Sequence, residues 1–117
     1  MRQNLRRVSL ACAIALTIAL LGASVVPSAG RIVTIEAHWF AHFVSFAILA
    51  FAWTFGLPSV SPFIVAPVVI AFGIVHEAIE IVGHAHTYEL GDAFVDGVGA
   101  IIGVLLARLP TSRPSLK

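Results

Sequence analysis

Apolar residues gather into four long runs, at about residues 8–26, 35–55, 62–82 and 93–107, separated by short stretches that hold most of the polar residues. A helix needs roughly 20 apolar residues to cross hydrocarbon, so the pattern predicts an all-α, four-helix transmembrane bundle in a single domain spanning 1–117. All four runs are read as helices because an unpaired strand cannot satisfy its backbone in lipid. The punctuation agrees. Gly56 offers a left-handed helix end and Pro58 blocks continuation; Ser61 caps and Pro62 opens the third helix. Asp92, after Gly91, is expected to cap the fourth, which is the shortest and calls for a locally thin bilayer.

Composition sharpens this picture. Of 117 residues, 59% are hydrophobic and 11% charged, against roughly 25% charged in a soluble domain. Mean hydropathy is +1.00. The single cysteine, Cys12, excludes an intramolecular disulfide and any paired-cysteine metal site. The first run, preceded by "RQNLRR", also has the outline of a secretory signal; its length and the mediocre cleavage sequence "VVPSAG" favour a retained span.

Basic residues set the expected orientation. Arg2, Arg6 and Arg7 precede the first run, Arg108, Arg113 and Lys117 follow the last, and only Arg31 lies between. Both termini are therefore expected in the cytoplasm, with the loops near 27–34 and 84–91 facing outward. The tails are too sparsely basic for nucleic-acid binding.

The stretch "HEAIEIVGHAHTYELGDAFVD", residues 76–96, holds five of the six carboxylates and three of the five histidines, and no lysine or arginine occurs from 32 to 107. An ionised carboxylate without a partner is very costly in hydrocarbon, so buried ones must carry a proton, pair with imidazolium or hold a cation. Helical spacing puts these groups on faces: His38 and His42 at i, i+4; Glu77, Glu80 and His84 at i, i+3, i+7; Asp92, Asp96, Gly99 and Gly103 at i, i+4, i+7, i+11. His42, Glu77 and Asp96 each fall roughly 6 to 10 Å inside a helix end. An outward-facing polar pocket of His42, Glu77, Glu80, Asp92 and Asp96 is the expectation, with Gly99 and Gly103 as a G-x-x-x-G packing face. The plainer alternatives are an N-cap for Asp92, solvated loop positions for His84, His86 and Glu89, and a hydrogen-bond network that merely holds the bundle.

"HEAIE" departs from the zinc-protease signature H-E-x-x-H at its second histidine, which is Glu80 here, so a protease of that class is disfavoured. A looser divalent-cation site could draw on His42, Glu77, Glu80, His84, Asp92 and Asp96, a nitrogen and oxygen donor set suited to zinc, manganese or iron. Nothing forms a recognisable serine-nucleophile elbow.

"SVVP" at 24–27, "HWFAHF" at 38–43, "EAIE" at 77–80 and "DAFVDGVGAIIG" at 92–103 together resemble the VanZ-like family, small multi-pass bacterial proteins named for a teicoplanin-resistance determinant. His42, Phe43, Glu77, Asp92, Gly99 and Gly103 match the family pattern. His38 and Trp39 stand where it has aspartate and lysine, Glu80 where it has glutamine, His86 where it has arginine, and Asp96 where it has asparagine. The resemblance implies a protein of the bacterial cytoplasmic membrane that binds or modifies a lipid-linked envelope component, with a role in glycopeptide tolerance. The missing lysine and arginine incline this pocket toward protons or cations. The competing class is a membrane-embedded metal-dependent hydrolase with Glu77 or Asp96 as general base. A proton or cation conductor is disfavoured because the inner halves of helices two, three and four lack ionisable residues. A homodimer through small-residue faces is a further expectation.

Overall fold

Helices form over all four runs. In the computed structural model, which describes residues 1–26, 34–84 and 90–110 (of 83 and 84 the backbone only), α1 is Arg2–Val25, α2 Ile35–Gly56, α3 Pro62–His84 and α4 Leu90–Arg108. Each is long and apolar enough to cross a membrane. Their 24, 22, 23 and 19 residues correspond to about 36, 33, 35 and 29 Å of helix against roughly 30 Å of hydrocarbon.

The ends depart from expectation in informative ways. α1 starts at Arg2, because good helix formers such as arginine and leucine extend it past the apolar run. Asp92 does not cap α4; the helix begins at Leu90, and the Asp92 side chain turns to His38 on α2 instead. That start gives α4 a full span, so a thinned bilayer is unnecessary. Gly56 stays helical, with Leu57 in the capping position at φ −115°. Its lack of a side chain serves packing: a Cβ there would lie 3.1 Å from the backbone nitrogen of Leu10 on α1. Ser61 does cap α3, accepting from the Phe63 N–H at 3.2 Å, and Thr34 caps α2 by accepting from the Ala37 N–H at 3.3 Å. Pro67 sits inside α3, a position that neighbouring helices make tolerable in a membrane bundle.

The tightest packing joins α2 and α4. A Cβ on Gly99 would fall 2.5 Å from the Phe43 carbonyl oxygen, and one on Gly103 only 2.1 Å from that of Ala47. The partners of α4 residues on α2 keep a nearly constant offset (92 with 38, 96 with 42, 99 with 43, 103 with 47), so the two helices run parallel. α3 runs antiparallel against both: Glu77 meets His42, and Gly73 sits against Phe46 and Asp96. α1 lies along the outside, holding α2 through Ser9 Oγ donating to the Ala52 carbonyl at 3.0 Å and Trp53 Nε1 donating to Thr17 Oγ1 at 3.3 Å. The start of α1 and the end of α4 are therefore at one end of the bundle, and the described polar residues of α2, α3 and α4 cluster toward the other. Between them lies an apolar core of Phe46, Leu49, Ala50, Val65, Val69, Ala100 and Val104.

The expected G-x-x-x-G face is thus spent within the chain, and a homodimer would need a different surface. Because the obstructing atoms are backbone, Gly103→Ala is expected to destabilise the bundle by about 3 kcal/mol. Gly97→Ala, where nothing lies within 4 Å of the new Cβ, is expected to be neutral or to stabilise by up to about 1 kcal/mol through helix propensity. Unfolding of the two variants by SDS in mixed micelles checks the contrast.

Candidate functional site

Depth and face, set by the helices, bring four carboxylates and three imidazoles together. On the α2–α4 seam, His38 Nε2 lies 3.2 Å from Asp92 Oδ2, and one turn deeper His42 Nδ1 lies 2.9 Å from Asp96 Oδ1. The i, i+4 spacing on both helices and their parallel course make these two rungs of one ladder. Glycine completes the fit: Gly73 lets α3 approach, since a Cβ there would already be 3.3 Å from Asp96 Cβ. From α3, Glu77 brings Oε1 to 3.6 Å from the same His42 nitrogen. His76 Nε2 stands 3.4 Å from Glu80 Oε1. The rings of His38, His42 and His76 form a continuous row, with centroids 4.4 and 5.7 Å apart, and Phe46 closes the floor beneath His76 at 6.0 Å.

α1 contributes as well. Ser24 Oγ, fully buried, is hydrogen-bonded to His76 Nδ1 and lies 2.8 Å from the carbonyl oxygen of Leu20. A hydroxyl has one hydrogen, and a carbonyl can only accept. Ser24 therefore donates to Leu20 and accepts from His76, which puts a proton on His76 Nδ1 and leaves Nε2 facing Glu80. The same logic applies to His42. With Asp96 ionised, the His42 Nδ1–H donates to this nearer carboxylate, and Nε2 is the ring nitrogen left for another partner.

The consequence is a surplus of acceptors. Glu77 Oε1, Asp92 Oδ1 and Asp96 Oδ2 are buried without a hydrogen-bond donor among the described residues. Even with His38, His42 and His76 all protonated, three positive charges would face the four carboxylates Glu77, Glu80, Asp92 and Asp96. One negative charge would remain, in a layer where isolated charge is expensive. Protons on carboxylates or a bound cation must make up the difference. Two groupings bring ligand atoms within 4.8 Å of one another: His42, His76, Glu77 and Glu80, and His38, His42 and Asp92. Metal–nitrogen and metal–oxygen bonds of about 2.0–2.2 Å place donors at most about 4.4 Å apart, so modest side-chain rotation closes the first grouping on an ion.

The five pocket positions expected from sequence, His42, Glu77, Glu80, Asp92 and Asp96, do converge. His84 ends α3, and its side chain, like His86, Glu89 and Arg31, lies outside the described residues. His38, His76 and Ser24 belong to the cluster although they were not among the pocket residues expected. His76 was hidden by its place beside Glu77, about 100° around the helix; α3 is covered on two sides, so Glu77 meets α2 while His76 meets α1. Against family models, curated proteins and solved structures the chain has no significant match.

The tautomer assignment is directly checkable. Imidazole nitrogen-15 NMR of metal-free protein is expected to show His42 and His76 protonated on Nδ1. Ser24→Ala should remove that preference for His76 and cost about 1–3 kcal/mol for the donor left without its acceptor, while leaving the His42 signals in place.

Proposed function

We propose that this chain is a VanZ-like multi-pass protein of the bacterial cytoplasmic membrane, with both termini cytoplasmic, that binds a divalent cation in the outward half of the bundle. The supporting observation is the convergence of His42, His76, Glu77 and Glu80, whose ligand atoms lie within 4.8 Å of one another in a layer short of hydrogen-bond donors. Two imidazoles and two carboxylates suit zinc, manganese or iron, and the only thiol, Cys12, is exposed on α1. Asp96 and Ser24 take the supporting role that carboxylates and hydroxyls have behind metal-bound histidines: each fixes a ring by accepting its Nδ1–H. The site faces the outer leaflet, and its partner is a lipid-linked envelope component that offers oxygen ligands to the ion.

A hydrolytic reading is favoured by one detail. Asp96 is held by His42 through Oδ1 at 2.9 Å, whereas Glu77 Oε1, 3.6 Å from the same nitrogen, has no hydrogen-bond donor among the described residues, which favours Glu77 as general base. In this reading His42, His76 and Glu80 would hold the ion, which would supply a water of lowered pKa, and Glu77 would stand free to take its proton. Asp96 then acts only by orientation.

Elemental analysis of the detergent-solubilised protein tests the proposal. Wild type should bind one equivalent of zinc, manganese or iron. Glu77→Gln and His76→Gln should fall to background, while Asp96→Asn should still fill at excess metal but with affinity about 10–100-fold weaker. Background metal in folded wild type after loading with each ion would contradict the proposal and leave protonated carboxylates as the explanation of the cluster.

A further inference from the structure

The opposite end of the bundle carries a separate feature. Arg2 and Arg6, one turn apart on α1, and Arg108 on α4 line a cavity of about 300 Å³ together with Thr54, Phe55 and Pro58. Arg108 is anchored there by donating from Nη2 to the Val60 carbonyl at 2.8 Å, which ties the end of α4 to the segment between α2 and α3. The first turn of α1 contains no acidic residue, and Met1 supplies no side-chain cap, so the positive end of the helix dipole adds to the guanidinium charge. Among the described residues every acidic side chain lies elsewhere, at residues 36, 77, 80, 92 and 96. Three cations therefore border one cavity with no acidic side chain among the described residues to balance them.

Guanidinium groups fit phosphate oxygens with paired, directional hydrogen bonds, and a basic hollow between helix ends lies at the depth of lipid headgroups. We propose that this cavity binds a phosphate group, supplied either by an anionic lipid of the adjoining leaflet or by free phosphate. Bound there, the anion would join α1 to α4. These two helices are otherwise linked mainly through α2 and α3, so the phosphate would act as a clasp at the termini, independent of the histidine cluster.

Native mass spectrometry of the full chain in detergent tests this, with phosphatidylglycerol, phosphatidylcholine and inorganic phosphate as probes. Wild type should retain phosphatidylglycerol in preference to phosphatidylcholine, or retain inorganic phosphate; the first result identifies a lipid headgroup as the source and the second a free anion. Arg6→Gln and Arg108→Gln should each weaken retention about fivefold. Arg7→Gln, one residue on and outside the cavity lining, should leave it unchanged. Equal losses in Arg7→Gln and Arg6→Gln would overturn the proposal, since they would show attraction to general surface charge. Equal retention of phosphatidylglycerol and phosphatidylcholine, with no phosphate bound, would overturn it as well. Circular dichroism of each variant establishes that the helices are intact.

Discussion

Four acidic side chains gathered toward one end of a bundle whose helices are long and apolar enough to cross a membrane, without a lysine or arginine between residues 32 and 107, set the terms for the rest of the structure. Carboxylates are stable at that depth only if imidazoles, hydroxyls, protons or a cation surround them closely. Close surrounding requires close helices. Gly99 and Gly103 bring α4 onto the α2 backbone, and Gly73 lets α3 reach Asp96. The parallel α2–α4 course then aligns His38 with Asp92 and His42 with Asp96, two rungs that a one-residue slip would separate. Packing and electrostatics are here one problem: the small residues that bring the helices together also bring the charges within hydrogen-bonding distance.

Charge is sorted along the bundle. The carboxylates and histidines occupy one end, the arginines of α1 and α4 the other, and an apolar core around Phe46, Leu49 and Val69 divides them. Among the described residues this core separates the two polar ends. α1 is the least buried helix, yet its Ser24 sets the tautomer of His76, so the peripheral span contributes directly to the chemistry of the centre.

Much of this was legible in the chain itself. Hydrophobic run lengths marked the four helices, and the absence of basic partners marked the acids as exceptional. The i, i+4 spacing predicted the His38–His42 and Asp92–Asp96 faces, and the G-x-x-x-G predicted intimate contact at Gly99 and Gly103. Other features depended on neighbours that no local pattern reveals. Asp92 looked like an N-cap because it follows glycine at the start of an apolar run; His38 on another helix claims it. Gly56 looked like a helix terminator, but the need it meets is the approach of Leu10. Ser24 entered only as part of the "SVVP" segment, and nothing local pointed to its bond with His76, since a serine can equally bond to its own helix.

X-ray absorption spectroscopy of the zinc-loaded protein tests the central claim most directly, because it reads the atoms that compensate the buried carboxylates. A shell of nitrogen and oxygen only, at about 2.0–2.1 Å, with the outer-shell signature of two imidazoles, is the predicted result. A shell of water oxygens without imidazole scattering, or a sulfur ligand from Cys12, would contradict it.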